Sequence, residues 1–267
     1  MKTYDYKTII ISDVHLGTSG SKALEVVEFL NSNSCELLIL NGDIIDGWQL
    51  KKKGLWHKKH TNFFRKILKI ISKNKTKVIY LRGNHDDFLD QVIPLNIGLS
   101  FRIQRDYMLE SAGKKFFVTH GDIFDSITSN MKWLAYLGDF GYTLLLSINK
   151  LYNHYRLKKG LPYYSLSQVI KQKVKLAVSY ISDFEIKLSE LAIAKNCDGI
   201  ICGHIHQPAI RQINGITYMN SGDWVESLTA LVEDSAGNWA IKYYSDQMDF
   251  ITKSNGDQSF SKMEVQL

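Results

Sequence analysis

The chain has 267 residues, 45% of them hydrophobic and 22% charged, and a formal net charge of +6. This length suits one large domain with a sizeable core, and the absence of an apolar run of bilayer length excludes a membrane-spanning helix. Three cysteines, Cys35, Cys197 and Cys202, in neither zinc-binding nor redox spacing, exclude a disulfide framework and read as small buried apolar side chains.

No signal peptide is visible in Met1–Lys7, so the expected site of action is the cytosol. The first predicted strand is Thr8–Ile11, continuously apolar as buried strands are, and Asp13-Val14-His15 follows it. Ser21–Asn31 has Ala23, Leu24, Val27 and Leu30 at helical spacing. A second strand, Glu36–Leu40, runs into Gly42-Asp43. Trp48 and Trp56 lie near the lysines of 51–59 and read as packing anchors or, alternatively, as a grip on a nucleotide. The lysine clusters 51–53, 58–59 and 158–159 suit an anionic partner but by themselves read as solvated surface. Phe63–Ile71 repeats the helical pattern, and a third strand, Lys77–Leu81, leads to Gly83-Asn84-His85-Asp86. Lys115–Val118 then precedes His120-Gly121-Asp122.

Beyond His120 the pattern changes. Met131–Tyr155 reads as helix, Lys159-Gly160-Leu161-Pro162 as a turn, and Ser167–Lys195 as a second helix. Residues 126–196 are thus expected to be a helical insert, or lid, within a single domain of residues 1–267. A last ligand-bearing strand, Gly199–Cys202, is followed by Gly203-His204-Ile205-His206. Ile216–Val232, turned at Ile213-Asn214-Gly215-Ile216, and Trp239–Tyr244 add antiparallel strands, and the polar tail Thr252–Leu267 is expected to be loosely ordered.

Five of the eight histidines fall in these motifs, each after an apolar run, so the ligand atoms are expected to gather at one sheet edge. Any one motif occurs by accident; the ordered set describes a metal site. Carboxylate oxygen with imidazole suits manganese, iron(II), zinc or cobalt, and the lack of thiolates argues against structural zinc. Asp43, with no second histidine after it, fits a carboxylate that bridges two ions. Two ions about 3.5–4 Å apart can generate hydroxide near neutral pH and clamp a phosphoryl group.

The ordered motifs resemble those of the calcineurin-like metallophosphoesterase superfamily over most of the chain outside the insert. The resemblance implies an α/β fold, a four-layer α-β-β-α sandwich of two mixed sheets with metals at their rim. It implies that Asp13, His15 and His206 hold one divalent ion, that Asn84, His120 and His204 hold a second, and that Asp43 bridges them. Mn2+ is the first choice of metal, with Fe2+, Zn2+ and Co2+ as alternatives. His85 is similar to the family's catalytic histidine, which stabilises charge on the transferring phosphorus or protonates the leaving oxygen, and Asp46 would orient it. Two alternatives stay open: Asp46 as a helix cap, and His85 as a residue that shapes its loop. Arg82 would bind substrate phosphate or else pair internally with a carboxylate such as Asp86.

The helical insert and Asn220-Ser221-Gly222-Asp223-Trp224-Val225-Glu226 resemble the UDP-2,3-diacylglucosamine pyrophosphatase group of lipid A biosynthesis. The best-characterised branch of that group carries arginine where this chain has His85, so the resemblance is to the wider group. It implies cleavage of the diphosphate of a lipid-linked sugar nucleotide to UMP and a lipid monosaccharide phosphate. Met131–Tyr155, including Trp133, is apolar nearly all round and is followed by Arg156, Lys158 and Lys159. Such a segment can cover an acyl chain or make peripheral contact with the cytoplasmic face of the inner membrane while its cations meet phosphates. It can equally pack on the main domain or form a dimer contact. Two other functions remain: a nuclease or soluble phosphodiesterase that uses the basic clusters, and a non-catalytic scaffold. Nucleic acid is not the favoured partner, and the complete ligand set disfavours the scaffold.

Overall fold

Alternate residues of each central strand enter different cores, which is why the runs are apolar throughout. In the computed structural model, which describes residues 4–127, 152, 155, 156, 158–160 and 166–246, β1 (Tyr6–Ile11), β2 (Cys35–Asn41) and β3 (Lys77–Leu81) pair in parallel. Ile9, Ile11, Leu38, Leu40, Val78 and Tyr80 face one core, and Ile10, Ile39, Ile79 and Leu81 face the other. Helices α1 (Ala23–Ser32) and α3 (Lys58–Lys69) cover the first core with Val26, Phe29, Leu30, Phe63 and Ile67.

The remaining strands are β4 (Leu95–Ile97), β5 (Phe101–Gln104), β6 (Asp106–Ser111), β7 (Lys114–Thr119), β8 (Gly199–Cys202), β9 (Ala209–Ile213), β10 (Ile216–Asn220), β11 (Thr229–Glu233) and β12 (Trp239–Tyr243). They complete a seven-stranded sheet of order β12-β11-β1-β2-β3-β5-β4 and a five-stranded sheet of order β6-β7-β8-β10-β9. Both are mixed: β1 is parallel to β2 but antiparallel to β11, and β10 is parallel to β8 but antiparallel to β9. Between the sheets, Ile10, Ile39 and Leu231 meet Leu109, Phe116, Val118, Ile201 and Met219. Buried Glu233 links them as well, accepting hydrogen bonds from Thr8 beside it and from Ser111 of the opposite sheet. On the outer face of the second sheet, Phe117, Ile200 and Tyr218 are buried, and Lys195 Nζ lies 5.2 Å from the Phe117 ring centre. Lys195 directly follows α4 (Leu166–Ala194), whose last turns contribute buried Leu188 and Ala192. The layers are therefore helix, sheet, sheet, helix.

The chain divides into two compact units, Met1–Asp122 with Leu188–Leu267, and Ile123–Lys187. Most of the apolar run 131–155, Trp133 included, lies outside the described residues, as does the tail 252–267. Lys158 and Lys159 are exposed, and Lys159 Nζ stands 5.9 Å from the Tyr155 ring centre. No helix among the described residues is long and apolar enough to cross a membrane.

Several elements go beyond the sequence reading. α2 (Gly47–Lys53) occupies the first lysine cluster, capped by the Asp46 side chain, which accepts the Gln49 N–H at 2.8 Å. α3 starts before its first phenylalanine because the His57 N–H bonds His60 Nδ1 at 3.2 Å and caps a polar first turn. β4, β5 and β6 carry exposed polar residues between apolar ones and include both sheet edges on that side, so they lack the continuous apolar signature of the central strands.

Candidate metal centre

The candidate ligands sit just beyond strand ends, in loops turned sharply rather than on the strands themselves. Asp13, His15, Asp43, His204 and His206 all have positive φ, between 49° and 68°. L-residues adopt that region at a cost, and such residues concentrate at functional sites. In place of the two-residue alternation of a strand, this left-handed backbone turns Asp13 and His15 toward a common point.

The motif glycines make room for the ligands. A Cβ at Gly42 would lie 2.4 Å from His120 Cγ, one at Gly83 would lie 2.3 Å from Asp43 Oδ1, and one at Gly203 would lie 2.6 Å from Asp13 Oδ2. Each is too close for a side chain to exist there without displacing a candidate ligand.

Three overlapping groups result: Asp13, His15 and His206; His15, Asp43 and His85; Asp43, His120 and His204, with ligand atoms within 4.8 Å of one another in each. Asp43 Oδ2 is central, 3.3 Å from His120 Nε2, 3.9 Å from His85 Nε2 and 4.0 Å from His15 Nε2. Its other oxygen accepts the His85 backbone N–H at 2.7 Å. Asp13 approaches His206 Nε2 at 3.1 Å and accepts the His204 N–H at 3.0 Å. His120 Nδ1 is 2.9 Å from the Asn41 carbonyl, which leaves Nε2 to face the site.

Asn84 supplies an independent check on fit. It is buried, and neither its amide oxygen nor its nitrogen has a hydrogen-bond partner among the described residues. A buried amide without a partner is costly, and a cation at its oxygen satisfies it. The electrostatics agree. Burial pushes the Asp43 carboxyl up, but His120, His15 and His85 outweigh it and hold the group below the usual carboxylate range. Asp13 is likewise held down, against burial, by His206 and His120. In return, and again against burial, Asp43 and Asp13 hold His120 up to about 10, and Asp13 holds His206 up to about 9. The carboxylates thus draw positive charge onto their histidines, and a divalent cation supplies that charge in place of protons. The donor set, carboxylate oxygens, imidazoles and one amide, suits such a cation.

His85 and Asp46 flank this group. His85 Nδ1 is 3.1 Å from Asp46 Oδ2, while Asp46 Oδ1 caps α2, so the carboxylate contacts the imidazole and also caps the helix. Burial raises the Asp46 carboxyl, but hydrogen bonds from His15, His85 and the Gln49 N–H bring it below the usual range. Arg82 is paired internally with Asp90 at 3.0 Å and with Asp122. Asp86, the partner the sequence pointed to, is engaged elsewhere: it accepts the N–H groups of Ile44 and Ile45 and the Tyr80 hydroxyl. Burial, then the charge of Asp43, raises the Asp86 carboxyl to about 7. Trp133 lies outside the described residues. The sequence reading missed the relation of Trp48 to His85, whose rings are 4.4 Å apart. The available signal was its place in the turn that follows Asp43 and Asp46.

The family model for calcineurin-like phosphoesterases matches residues 6–208. Among curated proteins, the UDP-2,3-diacylglucosamine hydrolase of Blochmanniella pennsylvanica is 26% identical over 216 residues, covering 77% of this chain and 81% of the relative. The protein of the same name from Stenotrophomonas maltophilia is 24% identical over 247 residues, covering 88% and 97%. Among solved structures, the phosphoesterase Yfce from E. coli aligns at 17% identity with a TM-score of 0.46, covering 90% of this chain and 94% of that one. Because the family match takes in every candidate ligand from Asp13 to His206, in chain order and on this fold, the chain belongs to the calcineurin-like phosphoesterases, a family that works with divalent metal ions.

Proposed function

We propose that the chain hydrolyses the diphosphate of a lipid-linked sugar nucleotide, UDP-2,3-diacylglucosamine in the first instance, to UMP and 2,3-diacylglucosamine 1-phosphate. The observation that carries the chemistry is the position of Asp43, whose one oxygen is shared by His120 at 3.3 Å and His15 at 4.0 Å. In this reading Asp13, His15 and His206 hold one ion, Asn84, His120 and His204 a second, and Asp43 bridges, with Mn2+ as the first metal to test. When bound, such a pair supplies Lewis acidity that activates water and offsets charge on the phosphoryl oxygens.

The chain's own residues do the rest. Asp46 takes the Nδ1 side of His85, so the Nε2 side is the one that stabilises charge on the transferring group or hands a proton to the leaving oxygen. Arg82, held by Asp90 and Asp122, has its direction fixed before a substrate phosphate arrives. The lipid part rests on the names of the relatives and on the apolar run 131–155, with Trp133 in it and Lys158 and Lys159 after it. That segment would cover the acyl chains and bring the protein to the cytoplasmic face of the inner membrane as a peripheral contact.

The test is mass spectrometry of the products formed from UDP-2,3-diacylglucosamine with Mn2+. UMP and the diacylglucosamine phosphate are expected. An intact lipid nucleotide beside cleaved oligonucleotide or soluble diester would overturn the substrate.

A further inference from the structure

We infer that Trp48 is a positioning residue that fixes the imidazole of His85 in its working orientation; this rests on the role proposed for His85. The indole lies against the imidazole with ring centroids 4.4 Å apart and planes tilted by 34°. The ring of His15 meets the same imidazole edge-on, at 4.7 Å and 90°. Asp46 Oδ2 stands 3.1 Å from Nδ1. With these sides occupied, Nε2 is directed at Asp43 Oδ2, 3.9 Å away. Turning the ring about its Cβ–Cγ bond drives its atoms toward the indole or toward His15.

The indole is anchored in turn. Its Nε1–H donates to Asp87 Oδ2 at 3.2 Å, and it belongs to the first turn of α2, whose start is fixed by the Asp46 cap. Next to it, the Gly47 N–H donates to the His85 carbonyl at 3.0 Å. A Cβ on Gly47 would lie 2.8 Å from Phe88 Cδ1 and 3.0 Å from that carbonyl, so glycine is what lets the turn come this close. A tryptophan serving only the core would be buried, as Trp224 is. Trp48 is 41% exposed and turns its ring to a histidine of the candidate site.

The test compares W48A, W48F, H85A and W48A/H85A as metal-loaded full chains hydrolysing bis-p-nitrophenyl phosphate, a soluble diester with no lipid to recognise. W48A is expected to lower kcat roughly tenfold with KM little changed, and W48F to recover most of the loss. W48A/H85A is expected to be no slower than H85A, because the ring to be positioned is gone. In metal-free protein, NMR of the carbon-bound His85 ring protons should show an upfield ring-current shift that W48A abolishes. Should W48A lose its circular dichroism, W48L, which keeps apolar volume without the aromatic ring, carries the same comparisons. A further loss in the double variant, an unchanged His85 spectrum, or a raised KM at constant kcat overturns the inference while leaving His85 its role. H85A as active as wild type removes that role, and the inference with it.

Discussion

His85 and Asp46 meet at 3.1 Å through Nδ1 and Oδ2, and the second Asp46 oxygen is already committed to the Gln49 N–H. One carboxylate therefore contacts both an imidazole of the candidate site and the start of a helix. His85→Ala is expected to leave metal content near normal and to lower turnover by roughly 10²- to 10⁴-fold. Asp46→Asn separates the two duties: asparagine caps helices as well as aspartate does, so the unfolding midpoint should hold while kcat falls. Loss of metal in step with activity in His85→Ala would instead make His85 a ligand.

Asp43 touches both ligand groups, through His120 and through His15. Metal analysis of the purified wild type should give two divalent ions per chain, and Asp43→Ala should deplete both sites together. One ion in the wild type, or full occupancy in the variant, contradicts the bridging role.

Gly42→Ala tests the packing of the site without altering a donor. The backbone there has φ +80°, and the added methyl would fall 2.4 Å from His120 Cγ. Metal affinity should drop by at least tenfold and stability by about 1–3 kcal/mol, as left-handed strain and a displaced imidazole combine. Titration with metal and chemical denaturation measure the two separately; normal values for both would show that the ring moves aside freely.

His60, which belongs to none of the three candidate ligand groups, carries a pH dependence of stability. It is buried with Nδ1 accepting the His57 N–H, and burial, then the charges of Lys59 and His57, lower its pKa from 6.5 to about 4. The folded state thus binds the proton less readily than the unfolded chain. The stability contributed by neutral His60 is complete above pH 6.5 and is lost as pH falls from there toward 4. Wild type should lose about 1–3 kcal/mol more than His60→Asn between pH 7.5 and 4.5 in urea titrations. Parallel losses would place the acid sensitivity elsewhere.

The apolar run in 131–155 predicts a split between substrates. Replacing Trp133, Leu137, Leu144 and Leu145 by polar residues should weaken capture of the lipid substrate and spare hydrolysis of a soluble diester. Each sheltered acyl methylene is worth about 0.8 kcal/mol. Kinetics on both substrates, with circular dichroism to confirm folding, decide it: equal losses would make the segment structural.

The sheet interior was legible because Ile9, Ile10 and Ile11, or Leu38, Ile39 and Leu40, face two cores and are apolar on both sides. The gathering of the candidate ligands was legible for a related reason: each motif follows such a run. The turning of the loops was not. Nothing in Asp13 or His206 announces a positive φ, since the neighbours, not the residue, impose it. Phe101–Gln104, next to the edge strand β4, escaped because one side of it is polar. Arg82 was read as a phosphate contact or an ion pair, but which carboxylates reach it is decided by the fold, with Asp122 far along the chain and Asp86 held by Ile44, Ile45 and Tyr80.

Asp13 bonds His204 and His206 across sequence separations of 191 and 193 residues. During synthesis, Asp13, His15 and Asp43 emerge long before the residues that complete the cluster. Closing so wide a loop has an entropic cost that only the assembled sheets offset. A nascent chain therefore exposes scattered carboxylates and imidazoles with no enclosed site until the segment after Cys202 has left the ribosome. A chain cut short before Gly203 lacks both His204 and His206 and cannot complete the cluster around Asp13.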